Sequence, residues 1–265
     1  MNNVARILLL LIATSAFAAT NPVPGAMQLP AAGPQPVYAV LSLIGDEFSV
    51  IASQLRTSDT EESNFRRAVP LDDPVFDNIA IRATIDSVRR IRLGAEMAAL
   101  NTRSPVLFAK QRQLFDEQNG VMSMPDAIVS ALAQQGATHL ILITKYRDDT
   151  RVLIPGASGL AARMEGLGFF LNGAAVTKDP ATGNAGRGYI SPFVFFQMAL
   201  IELPSRKVMK TRVVSASEPF SAARAPSGDD PWLALTSAQK VAAIEALLVR
   251  EIARVIPLLF DGQRR

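Results

Sequence analysis

The 265-residue sequence contains no cysteine and a single histidine, and both scarcities exclude kinds of chemistry. Without cysteine the chain can form no disulfide, no thiolate nucleophile, no cysteine-ligated zinc or iron–sulfur site and no thioether-linked lipid anchor. With His139 as the sole imidazole, every mechanism that requires two histidines is excluded as well. We therefore predict neither a metal nor a cofactor.

A large excess of charge of either sign is also absent. The 27 basic and 24 acidic side chains give a net charge of +3, far from the basic surplus that nucleic-acid binders show. The pI of about 9.4 does not change this conclusion, because nearly balanced chains reach extreme pI values with very little excess charge. We expect a globular protein with no nucleic-acid partner.

The first 18 residues have the pattern of a secretory signal peptide. Arg6 precedes an apolar stretch from Ile7 to Ala13, and Ala16-Phe17-Ala18 forms an A-x-A cleavage site. The stretch is shorter than the roughly 20 residues that cross a bilayer. We predict a protein without a membrane span after cleavage, soluble and periplasmic, because a cysteine-free exported chain suits that compartment. An uncleaved amino-terminal anchor is the alternative.

The remaining chain predicts a proline-rich lead and one domain. Residues 19–36 hold five prolines and no charge, which is typical of a flexible or polyproline-like segment. Residues 37–265 then form a single domain. Within it, residues from about 155 to 190 predict a loop-rich insertion with one or two short strands, since 8 of the 16 glycines lie between Pro155 and Gly188. A partner-docking loop is one hypothesis for this insertion.

Apolar periodicity predicts an α/β (or α+β) fold with a single mixed sheet flanked by helices. Strands are predicted near 37–44, 48–51, 138–144, 192–202 and 207–216. Helices are predicted near 74–90, 105–118 and 124–135, whereas 95–100 fits either state. Asp72 and Asp73 are predicted to cap the first helix. A long C-terminal amphipathic helix begins at Thr236, whose spacing from Gln239 suits a capping box, and we expect it to pack on the sheet.

Charged side chains follow several of the predicted strands. Asp46, Arg103, Lys145 and Arg147 lie at or just after strand ends, and ligands of parallel sheets bind beyond the carboxyl ends of the strands. The three cations predict a site for an anionic ligand or an acidic partner. An ordinary charged strand end is the alternative.

No nucleotide-binding or hydrolase motif is complete. The chain has no Gly-Lys-Ser or Gly-Lys-Thr, and the glycines of 183–188 lack the flanking strand and helix of a dinucleotide site. The segment from Gly156 to Gly159 has Leu160 where a nucleophile elbow needs glycine. His139 begins an apolar strand, which favours a structural histidine over a catalytic one.

The run from Gln135 to Ile143, a helix ending in Gly-Ala before a polar residue and a buried strand, resembles a segment of several bacterial envelope domains. These are the amino-terminal domain of the periplasmic Tol-system propeller protein, the curli-secretion lipoprotein and the lipoprotein activators of penicillin-binding proteins. The chain as a whole also looks like uncharacterised exported bacterial proteins. The resemblance implies a small α/β module that binds or assembles with an envelope protein and is not an enzyme.

Two functions follow from these observations. The first is a soluble periplasmic binding or accessory protein of the cell envelope that catalyses no reaction. The alternative is an exported hydrolase in which Asp46 or Asp148 acts as base and Arg103, Lys145 and Arg147 hold an anionic substrate. The hydrolase requires Asp46, Arg103 and Lys145 to line one cavity.

Overall fold

A computed structural model describes residues 35–53, 65–116, 120–154, 157–226, 228 and 230–262. The predicted signal peptide and the lead before residue 35 lie outside the described residues, so both stay predictions. The described strands are β1 (Val37–Leu43), β2 (Glu47–Ala52), β3 (Phe65–Pro70), β4 (Glu96–Leu100), β5 (Phe115–Asp116), β6 (Val121–Met122), β7 (His139–Lys145), β8 (Arg147–Ile154), β9 (Ala157–Lys178), β10 (Ala185–Glu202), β11 (Lys207–Ser217) and β12 (Phe220–Ser221). The described helices are α1 (Val75–Ile91), α2 (Pro105–Lys110), α3 (Asp126–Gln134) and α4 (Ser237–Phe260).

The centre of the sheet is parallel and its flank is antiparallel. β1 lies between β4 and β7 and runs parallel to both. Its side chains are buried from Tyr38 to Leu43, as an apolar strand covered on both faces requires. β7 then pairs antiparallel with β10, which continues to β9 on one side and β11 on the other. The predicted mixed α/β sheet is confirmed.

Helices cover both faces of the parallel centre. α1 and α4 share one apolar cluster with Val40 and Met198 on the first face. α2 and α3 contribute Leu107 and Leu132 to a second cluster on the opposite face. The chain therefore reaches β4 from β1 over one face, and β7 from β4 over the other.

The C-terminal helix matches its prediction. Thr236 Oγ1 accepts from the Gln239 backbone N–H while the Gln239 side chain accepts from the Thr236 N–H, which completes the capping box. Leu248, Ile252 and Val255 are buried against the sheet and α1. Most of the apolar face of α4 thus packs on the sheet and on α1.

The glycine-rich segment differs from its expected loop-rich form. Most of its described residues belong to β9 and β10, joined by a short turn from Asp179 to Asn184. A Cβ atom at Gly168 would lie 2.1 Å from the Ser49 carbonyl oxygen, so this glycine permits β9 to approach β2 closely. Glycines of this kind are packed strand positions, and composition alone does not distinguish them from loop glycines.

One smaller prediction is also wrong, and one open alternative is decided. The helix expected over 105–118 ends at Lys110 and gives way to a 3-10 turn and β5. The buried amide of Gln111 donates to the Phe108 carbonyl and accepts from the Lys145 N–H, which anchors the chain to β7 at this point. The ambiguous 95–100 segment is strand β4.

Candidate functional site

A crevice of about 390 Å³ opens beyond the carboxyl ends of β1 and β4. After β1 the chain continues to α1 on one face of the sheet, and after β4 it continues to α2 on the opposite face. Open α/β sheets bind ligands at such a switch point. We name this feature the strand-end crevice. Its charged lining residues are Asp46, Asp72, Asp77 and Arg103, and its other lining residues are Gly45, Leu71, Pro74, Thr102, Pro105, Phe108 and Ala109.

The floor of the strand-end crevice is fixed by Asp77 in the first turn of α1. Its Oδ1 accepts hydrogen bonds from Ser42 Oγ at 2.6 Å and from the backbone N–H groups of Ile44 at 3.0 Å and Gly45 at 3.1 Å. The residue is only 4% exposed. Burial raises the pKa of Asp77 above its ordinary value, although the three hydrogen bonds act in the opposite direction. Asp77 therefore ties the end of β1 to the start of α1.

Gly45 completes this tie because it has no side chain. A Cβ atom there would lie 2.7 Å from Asp77 Oδ2 and 2.9 Å from the Asp77 backbone nitrogen. Both distances are shorter than a carbon can approach without displacing the carboxylate. The chain after β1 can thus reach the start of α1 closely enough for its N–H groups to bind Asp77.

Lys145 lies outside the lining of the strand-end crevice and offsets part of the negative charge there. Its Nζ is 2.6 Å from Asp46 Oδ1 and 3.1 Å from Glu47 Oε1, and its side chain is 8% exposed. The approach to Asp46 is an electrostatic contact that lacks hydrogen-bond geometry. The stem of Lys145 packs beside Gly166, where an added Cβ would lie 3.1 Å from the Lys145 Cδ. The ammonium group is thus committed to two carboxylates.

The four predicted site residues do not all meet. Asp46 and Arg103 line the strand-end crevice, and Lys145 contacts Asp46 without belonging to the lining. Arg147 is exposed on β8 and also lies outside the lining. The side chain of Asp148, the other proposed base, lies outside the described ones.

Sequence reasoning missed three features of the crevice. In the sequence, Asp77 is one residue of the helical pattern of α1 and Phe108 one residue of that of α2, and neither pattern marks them as lining residues. Asp72 was expected to cap α1, but the helix begins after Pro74 and has no side-chain cap hydrogen bond. Asp72 is instead available to line the crevice.

Two lining residues of opposite charge have no partner among the described residues. Asp72 comes from the loop before α1, and Arg103 comes from the loop before α2. Within the described residues neither side chain forms an ion pair or a hydrogen bond. Leu71 and Phe108 add apolar wall beside them. The crevice therefore presents one unpaired carboxylate, one unpaired guanidinium and an apolar surface.

His139 lies at the amino end of β7, away from the strand-end crevice. Its Nδ1 is 2.9 Å from Thr138 Oγ1, and its ring centroid is 5.2 Å from that of Tyr38. Burial lowers the pKa of His139, which favours the neutral ring. These contacts agree with the expected structural role.

The described residues hold neither a metal-binding cluster nor a membrane-spanning helix. Among them, no group of three or more histidine or acidic side chains is arranged to hold a metal ion. No helix in the described ranges has both the length and the hydropathy needed to cross a bilayer.

No family model matches the chain, and no curated protein matches it either. Several solved bacterial structures are similar at low identity. A DUF330 protein from Xanthomonas campestris is 12% identical, with 86% of each chain covered and a TM-score of 0.38. The PelC dodecamer from Paraburkholderia phytofirmans is 10% identical, with 86% of this chain and 89% of that chain covered and a TM-score of 0.33.

A third similar structure is a homolog of neuraminyllactose-binding hemagglutinin from Helicobacter pylori. It is 8% identical, with 89% of this chain and 90% of that chain covered and a TM-score of 0.34. These similarities are too loose to assign a shared function. The resemblance to Tol-system and curli-secretion domains stays a prediction.

Proposed function

We propose that this protein acts by binding, as a non-catalytic accessory protein of the bacterial cell envelope, and that the strand-end crevice is its binding site. The supporting observation is the position of the crevice at the switch point between β1 and β4. Its floor is held by the three hydrogen bonds to Asp77, so the site is formed before a ligand arrives. A preformed site binds without a large ordering cost.

Export to the periplasm is part of the same proposal and rests on the leader pattern of residues 1–18. Expression of the full chain in a bacterial host tests it directly. We expect the protein in the periplasmic fraction, with an intact mass shortened by the residues up to Ala18 or Ala19. Recovery of the uncleaved chain in the membrane fraction would support the anchor alternative instead.

The hydrolase alternative lacks the geometry that it requires. Two of its three supporting cations are unavailable at the crevice, because Lys145 is held between Asp46 and Glu47 and Arg147 is outside the lining. Asp46, as the described candidate base, is itself bound to an ammonium group.

Filling the strand-end crevice tests the binding function. Ala109 is exposed and lines the crevice, so Ala109→Trp should occupy it without disturbing the core. Ala133→Trp is the matched control, since Ala133 is exposed on α3 and outside the lining. The tagged protein and both variants are incubated with envelope extract, and bound proteins and small molecules are quantified by mass spectrometry.

We expect the wild-type chain and the Ala133→Trp control to retain the same molecule, and Ala109→Trp to retain at most a tenth as much. Equal retention by all three proteins would place binding elsewhere on the surface. A wild-type chain that retains nothing in stoichiometric amount would contradict the binding function itself.

A further inference from the structure

We infer that the strand-end crevice takes a small zwitterion, a molecule that carries one ammonium and one carboxylate group on a compact, partly apolar body. Free amino acids and short peptides share this chemistry. The inference rests on the proposed binding function and specifies the ligand class of the same site. It replaces the anionic ligand that the sequence predicted.

Among the described residues, the charged lining side chains with neither an ion pair nor a hydrogen bond are one of each sign. Lys145 compensates Asp46 from behind, so that carboxylate is not free to attract a ligand cation. Asp72 and Arg103 have no partner among the described residues and belong to different loops around the same opening. A purely anionic ligand would satisfy Arg103 and be repelled by Asp72, whereas a purely cationic ligand would meet the reverse problem. A zwitterion satisfies both side chains.

Each of the two loops that carry these charges leads into the start of a helix. Asp72 lies two residues before Pro74, and Arg103 lies two residues before Pro105. Each proline has a fixed φ and reduces the conformations open to its loop. Asp77 anchors the same corner through its three hydrogen bonds. A carboxylate and a guanidinium with restricted positions favour one ligand orientation.

The remaining lining suits the body of such a molecule. Leu71 and Phe108 offer apolar surface, and Thr102 adds a hydroxyl group. The volume of about 390 Å³ lies at the low end of the roughly 300–1,000 Å³ that small-molecule sites occupy. This space suits an amino acid or a short peptide and is too small for a large polymer.

Titration calorimetry on the purified full chain tests the ligand class. The zwitterionic probes are leucine, phenylalanine and leucyl-leucine. Two half-analogues keep the leucine body: 4-methylpentanoate has no ammonium group, and 3-methylbutylamine has no carboxylate. We expect at least one zwitterion to bind and both half-analogues to bind at least about tenfold more weakly, as the loss of one charged hydrogen bond predicts. Comparison of leucine with leucyl-leucine distinguishes a free amino acid from a peptide.

Two variants test the residues. Asp72→Asn and Arg103→Met should each weaken the zwitterion about tenfold or more. In Asp72→Asn the zwitterion should lose its advantage over 4-methylpentanoate, and in Arg103→Met its advantage over 3-methylbutylamine. Asp73→Asn and Arg147→Met are matched controls outside the lining and should bind like the wild type.

The outcomes separate this inference from the binding function. Half-analogues that bind as tightly as the zwitterion, or a complete lack of zwitterion binding, would overturn the ligand class while leaving the Ala109→Trp result untouched. Zwitterion binding that is unaffected by both variants would overturn the roles of Asp72 and Arg103. Failure of the binding function instead appears as no stoichiometric molecule retained from envelope extract.

Discussion

Asp77 shows how one buried side chain can fix the floor of a crevice that it also lines. Its carboxylate sits where water is largely excluded, which disfavours the charged form. Ser42, Ile44 and Gly45 provide three donors that partly offset this cost. The position of Asp77 in the first turn of α1 adds a favourable interaction with the helix dipole. The end of β1 is fixed as a result.

Removal of the Asp77 carboxylate should destabilise the protein. Asp77→Ala leaves two backbone N–H groups and one hydroxyl without their acceptor, and we expect a loss of about 2–4 kcal/mol in the free energy of unfolding. Asp77→Asn keeps an acceptor oxygen and should lose less. Urea denaturation measures both variants, with Asp73→Ala as an exposed control. An Asp77→Ala variant as stable as its control would show that the three hydrogen bonds contribute nothing.

The raised pKa of Asp77 gives stability a pH dependence of known sign. Because the folded-state pKa lies above the ordinary value of 3.8, Asp77 contributes stability below that value and loses this contribution as pH rises through the folded pKa. Asp77→Asn does not titrate at this position. The stability of the wild type relative to Asp77→Asn should therefore fall from acidic to neutral pH in paired urea titrations. A difference that grows with pH would indicate a lowered pKa instead.

At the scale of elements, the sequence predicts what depends on local periodicity. β1, β7 and α4 have long apolar patterns, and each lies within two residues of its predicted bounds where those were given. The glycine-rich strand β9 was not predicted, because its glycine is required by the close approach of β2, which is a tertiary contact. α2 ends earlier than predicted for the same reason, because Gln111 hydrogen-bonds to Phe108 and to Lys145 of β7.

The candidate site, too, was predictable only in part. Parallel strand order was enough to place Asp46 beside Lys145 and at one crevice with Arg103. It could not show that Lys145 would be held by Asp46 and Glu47, because the contact between the end of β7 and the start of β2 depends on the order of the whole sheet. The charge offered to a ligand therefore had to be determined from the structure.

The capping box of α4 is a local device with a measurable contribution. Thr236→Ala removes the oxygen that accepts from the Gln239 N–H, and substitutions of this kind cost about 1 kcal/mol. Ser237→Ala, one residue later and without a capping hydrogen bond, is the matched control. Denaturation midpoints should fall for Thr236→Ala alone. Equal midpoints for the two variants would mean that sheet packing, not the cap, fixes the start of α4.

At the scale of the whole molecule, burial is greatest where the sheet is covered on both faces. β1 has parallel neighbours on both sides and helices above and below. β4 pairs only with β1 among the described strands and is half-buried. β3 pairs only with β2 in the same set and is almost entirely exposed. The strand-end crevice thus opens between the most protected strand and a less protected neighbour.

Native-state hydrogen exchange should reproduce this order. Amides exchange through local opening where few apolar contacts must break, and through global unfolding where many must break. We expect the amides of β1 and β7 to exchange most slowly, those of β4 at intermediate rates and those of β3 fastest, as resolved by mass spectrometry of peptic fragments. Because the loop with Arg103 follows β4 and the loop with Asp72 follows β3, a ligand in the crevice should slow both strands and leave β11, which contributes no lining residue, unchanged. Equal slowing of β11 would indicate a global effect of the ligand and not occupation of the crevice.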